Sequence, residues 1–76
     1  MIGERIREVR LRRLGLTHRE LAYKLVSRNG NPPDQVNISR WELGVAEPSI
    51  RYVRQLAELA DLPISWFYEE DKEAVA

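Results

Sequence analysis

Between Pro33 and Gly44 the chain runs Asp34, Gln35, Val36, Asn37, Ile38, Ser39, Arg40, Trp41, Glu42, Leu43. At about 100° per residue, Ile38, Trp41 and Glu42 share one helix face. Val36, Ser39, Arg40 and Leu43 point the other way, while Gln35 and Asn37 project near the N-terminal end. One side can pack on a protein body. The other offers an amide, a hydroxyl, a guanidinium and a methyl-bearing side chain. Those groups match the edges of base pairs: an amide to adenine, a guanidinium to guanine, an apolar methyl to the thymine methyl. An ordinary solvated helix face would carry the same polar residues, and on these ten residues alone that is the better reading. Other chemistry is poorly served. The chain has one histidine, His18, and no cysteine, with no clustered carboxylates and no glycine-rich phosphate loop. No catalytic constellation results, and neither a thiolate metal site nor a disulfide framework is available. The expectation is a binding protein with no metal, no cofactor and no small-molecule substrate.

The elements around this segment read as helices. Ile2, Ile6 and Val9 recur at helical spacing, so a first amphipathic helix spans residue 3 to about residue 12, with Gly15 as its stop. Leu11 falls off its apolar stripe. Thr17-His18-Arg19-Glu20 has the pattern of a capping box and starts a second helix, whose buried face is Leu21, Ala22 and Leu25. Residues 27–33, with Asn29-Gly30 and paired Pro32 and Pro33, form a loop. The third helix begins near Pro33 or Asp34 and ends at Leu43, with Gly44 as its C-terminal stop. Pro48 and Ser49 cap a fourth, along which Ile50, Val53, Leu56, Ala57 and Ala60 repeat at helical spacing. Pro63-Ile64-Ser65 opens a short fifth carrying Trp66 and Phe67. No segment alternates with period two, so no sheet is expected. The fold class is all-α, a five-helix domain over residues 1–68 with a frayed acidic tail at 69–76.

At 76 residues this is one domain with a small core, supplied by 43% hydrophobic residues. Nothing resembles a signal peptide or a membrane span, and the lack of cysteine fits a cytoplasmic setting. Net charge is zero, but its distribution is uneven. Residues 1–54 hold eleven basic side chains against six acidic, whereas residues 55–76 hold Lys72 alone against six acidic. A basic body with an acidic end can turn one face toward phosphate. A mixed soluble surface would have the same totals.

Three stretches change the balance. Thr17-His18-Arg19-Glu20-Leu21-Ala22, then Ile38-Ser39-Arg40-Trp41-Glu42-Leu43-Gly44, then Glu47-Pro48-Ser49 together resemble the helix-turn-helix family of phage Cro and repressor proteins, the XRE type. The flanks agree: Arg5-Ile6-Arg7-Glu8-Val9-Arg10 before, and Leu56-Ala57-Glu58-Leu59-Ala60-Asp61-Leu62-Pro63-Ile64 after. The resemblance runs from residue 3 to about residue 68. It implies a lambda-repressor-like fold and sequence-specific binding of a double-stranded DNA operator, with the third helix in the major groove. The implied role is transcription regulation, most often repression, by a homodimer on a pseudo-palindrome. Base-edge contacts would fall to Gln35, Val36, Asn37 and Arg40, with Ser39 a weaker candidate. His18 matches a phosphate-contacting position, and an exposed helix residue is nearly as good a reading. Arg10 and Glu42 match a pair that ties the first helix to the third. Trp66, Phe67 and Tyr68 with the end of the fourth helix are candidates for the dimer surface, although Phe67 suits the core better.

Two departures stand against the resemblance. The connection between second and third helices is longer than the family's, with an insertion within residues 27–34. It could lengthen the second helix, set Arg28 or Asn29 against phosphate, or be a tolerated surface loop, which is favoured because loop entropy grows slowly with length. Leu43 also replaces a residue that is often basic. Arg51, at the start of the fourth helix, is a further phosphate candidate. The competing expectation is a protein-interaction module of the same fold that no longer binds DNA.

Overall fold

The computed structural model describes residues 2–27 and 29–69, and every regular element there is helical, with no strand among the described residues. Helix α1 spans Ile2–Glu8 and runs directly into a π-helical stretch, Val9–Leu14. Helices α2 (His18–Lys24), α3 (Gln35–Leu43) and α4 (Ile50–Ala60) follow, and a 3-10 turn, Ile64–Tyr68, is the last element among the described residues. No helix among the described residues is long and apolar enough to cross a membrane.

The first helix departs from the single α-helix expected. From Val9 onward its register widens, and it ends with the Gly15 and Leu16 amides both donating to the Arg10 carbonyl, the latter at 2.9 Å. Gly15 makes this possible by adopting φ 63, which costs a side-chain-free residue little. Along this wider register Leu14 joins the packed set while Leu11 stays 48% exposed. It also leaves Arg10 turned inward and buried.

The core is one cluster. It joins Ile6 and Val9 to Leu21 and Leu25, to Ile38 and Trp41 of α3, and to Val53, Leu56, Ala57 and Ala60 of α4, with Phe67 as its largest fully buried side chain. Ile50, expected on the α4 stripe, is 52% exposed. It is the first residue of the helix and lies beyond the face that packs. Ser49 holds the N-cap position without a side-chain bond, and Asp61 ends α4 in the left-handed conformation (φ 55). The expected fifth helix is the 3-10 turn. The element is only five residues long, Ile64–Tyr68, and the Trp66 amide bonds back to the Pro63 carbonyl at 3.0 Å, three residues away.

Gly3 fixes how α1 meets α3. A Cβ at Gly3 would lie 2.4 Å from the Trp41 carbonyl oxygen and 2.7 Å from that of Glu42. Only glycine lets α1 rest on the last turn of α3, which braces that helix from behind.

The long connection does not extend α2, which stops at Lys24. It forms its own turn instead, with Gly30 donating to the Ser27 carbonyl and Ser27 to the Asn31 carbonyl. The Gln55 amide of α4 fastens its start: the Val26 amide donates to Gln55 Oε1 at 2.7 Å and Gln55 Nε2 donates to the Val26 carbonyl at 2.8 Å. Arg28 lies outside the described residues, as does the tail from residue 70.

Candidate functional site

Helix α3 begins because Asp34 caps it. The Asp34 carboxylate accepts from the Val36 amide at 3.0 Å, which frees Gln35 to sit at the first helical position. It ends because Gly44 turns left-handed (φ 78) and donates to the Arg40 and Trp41 carbonyls. Both ends thus agree with the sequence expectation.

The inward side of α3 is anchored twice. Ile38 is fully buried and Trp41 nearly so, its ring packed 5.1 Å from that of Tyr52. Glu42 then meets Arg10 in a two-pronged ion pair, Nε to Oε2 at 2.6 Å and Nη2 to Oε1 at 3.0 Å. Both side chains are at most 7% exposed. Arg10 Nη1 donates in addition to the Leu16 carbonyl at 3.0 Å, tying the end of the π stretch to the same point. Charge-assisted pairs of this geometry are short and directional, and they fix orientation as well as distance.

A third group joins them. His18, in the first turn of α2, places Nε2 3.1 Å from Glu42 Oε1. Its side chain is 39% exposed, so the ring is neither buried nor free in solvent. The sequence is compatible with a phosphate contact or an exposed residue at His18 and does not point to this bond. The two residues lie 24 positions apart and no local pattern joins them. Just before it the capping box forms as expected, with Glu20 N–H donating to Thr17 Oγ1 at 3.1 Å and Thr17 N–H to Glu20 Oε1 at 2.9 Å. The Thr17 backbone amide, then its hydroxyl, then nearby Lys24 hold the Glu20 carboxyl below its ordinary range.

The outward side carries the other sequence candidates. Gln35, Val36, Asn37 and Arg40 are exposed along it, and Ser39 is half-buried. Leu43 and Val45 follow at 75% and 73% exposure, so an apolar end adjoins the polar stretch. Arg51 is exposed in the first turn of α4, and Arg28 is outside the described residues. Beside Gln35 an open cleft of about 330 Å³ is lined by Arg19, Tyr23, Pro32, Pro33 and Asp34. The Arg19 guanidinium lies 5.9 Å from the Tyr23 ring centre there. Of the three aromatic residues considered for a dimer surface, Phe67 is in the core and Trp66 is half-buried beneath Arg5, 4.7 Å from its ring centre. Tyr68 is 53% exposed.

Comparison with protein-family models, with curated proteins and with solved structures gave no match.

Proposed function

We propose that the chain binds double-stranded DNA in a sequence-specific manner, with α2 and α3 forming a helix-turn-helix and α3 lying in the major groove. It acts as a transcription regulator in the cytoplasm, as a binding module rather than an enzyme. The observation that carries this reading is the division of α3: Ile38, Trp41 and Glu42 are committed inward, which leaves Gln35, Val36, Asn37 and Arg40 on the surface together. Arg40 reads a base edge in this assignment. Gln35 and Asn37 hydrogen-bond to bases near the helix start, Val36 packs on a thymine methyl, and Ser39 contributes least. His18 and Arg51 approach phosphates on either side. Arg10 and Glu42 position α3 and do not touch DNA.

A single module of this size buries little surface, so a homodimer on half-sites about 34 Å apart is the functional unit. The exposed Leu43, Val45 and Ile50 favour a second reading, in which the same face docks a protein and DNA binding has been lost.

Selection of bound duplexes from a random pool, followed by fluorescence anisotropy, decides between them. The DNA reading expects a selected consensus. It also expects Arg40→Ala to lose about 1–3 kcal/mol of affinity with relaxed preference at one base position. No duplex preference at low salt, together with a protein complex stable at high salt, would establish the second reading instead.

A further inference from the structure

His18 is the only histidine in the chain, and there is no cysteine. Its Nε2 sits 3.1 Å from Glu42 Oε1. Both oxygens of Glu42 already accept from Arg10, and an ionised carboxylate offers no proton to share. Nε2 must therefore be the donor in this contact, in the neutral ring as in the charged one. The neutral ring then keeps its lone pair on Nδ1, which makes no hydrogen bond among the described residues.

We propose that Glu42 is a positioning residue for a proton-linked phosphate contact at His18: it fixes the proton on Nε2, so that Nδ1 meets a DNA phosphate and must take a second proton to hold it. The inference rests on the DNA-binding reading given above. A phosphate oxygen brought to a bare Nδ1 faces lone pair against lone pair. Brought to the doubly protonated ring, it accepts a charge-assisted hydrogen bond. The imidazolium then lies between two anions, the carboxylate behind and the phosphate in front. The proton comes from solvent and returns there on release. The surrounding charges leave this logic intact. Arg10 of the π stretch faces Glu42 and is paired by it, and on α2 the sequence neighbours are Arg19 and Glu20, the latter held by Thr17.

Where the free ring is neutral, the complex holds one proton more than its separated parts. Association therefore weakens as pH rises, by at most about tenfold per pH unit for a single proton.

Two measurements test this. In the free protein, long-range proton–nitrogen NMR of the His18 ring should show the neutral form protonated on Nε2; a neutral ring protonated on Nδ1 overturns the proposal. Anisotropy titration of the duplex selected by the protein, at pH 6 and pH 8 and constant ionic strength, should show wild-type affinity falling by roughly tenfold. H18Q, which can donate at either pH and cannot titrate, should change by less than about twofold over the same range. A flat wild-type profile, or one that H18Q reproduces, overturns the proton linkage while DNA binding stands. Failure to bind any duplex at either pH overturns the DNA-binding reading and this inference with it.

Discussion

Two side-chain tethers span comparable gaps in the chain and hold by different physics. The Arg10 guanidinium reaches 32 residues to Glu42, and the Gln55 amide reaches 29 residues back to the Val26 backbone. Each makes two hydrogen bonds to its partner. The first pair is buried and charged, whereas the second is neutral and lies at the surface. Water can replace Gln55 if it is removed, because the Val26 amide and carbonyl are then simply solvated. Water cannot so easily reach Glu42. The number of bonds is the same, and what differs is the state left behind when one partner goes. The buried tether is also the one that orients α3, so the helix bearing the proposed readout residues depends on the less forgiving of the two.

Arg10→Ala should give the largest effect. Removing one partner of a buried ion pair typically costs about 3–5 kcal/mol, because the other charge is left uncompensated. A small domain has only about 5–15 kcal/mol in total. Thermal melting followed by circular dichroism should show a large loss of stability, with the His18 contact to Glu42 as the only compensation left among the described residues. The double change Arg10→Met with Glu42→Leu should recover much of it, since apolar residues of similar volume leave no orphan charge. A single Arg10→Ala variant that melts within a few degrees of wild type would show that the pair is hydrated, and the contrast with Gln55 would collapse.

Gln55→Ala should cost far less, about 1 kcal/mol, for two surface hydrogen bonds that water takes over. For a domain of this length that is a fall in melting temperature of roughly 4–8 °C. Amide hydrogen exchange should quicken at Ser27 and Gly30, whose bonds close the connecting turn, while the α3 amides keep their protection. Equal loosening of both regions would mean that the loop and α3 form one cooperative unit.

The difference between the tethers also marks what could be read in the sequence. Local signals placed the helix ends: the Thr17 box, the Asp34 start and the Gly44 stop all depend on residues within four positions of one another. The apolar spacing gave the core residues of α3 and α4, apart from Ile50, which continues the stripe at a point where nothing packs on it. Arg10 and Glu42 came together only through the family resemblance, since 32 residues separate them. Nothing of that kind pointed to Gln55 with Val26 or to His18 with Glu42. Both contacts depend on where whole helices lie, and a lone Gln or His carries no mark of its partner. The π stretch was hidden for another reason. Its sequence suits an α-helix equally well, and the wider register follows from the way Gly15 and Leu16 close on Arg10.

Glu20 separates charge from burial, and should give the smallest effect. Its carboxylate is ionic like that of Glu42 but exposed, and it bonds only three residues away. The Thr17 amide and hydroxyl hold its pKa below the ordinary 4.5. A carboxyl depressed by folding stabilises fully above its unfolded value, and the contribution fades as pH falls through the folded one. Glu20→Gln keeps a capping side chain without the charge. At pH 7 the wild type should therefore melt slightly above Glu20→Gln, and the gap should close as pH is lowered through the range just below 4.5. A gap that persists undiminished to pH 3 would mean that shape, not charge, makes the glutamate the better cap. A gap as large as that from Arg10→Ala would mean that charge alone sets the strength of a tether, and the burial of Arg10 and Glu42 would no longer explain why α3 holds its orientation.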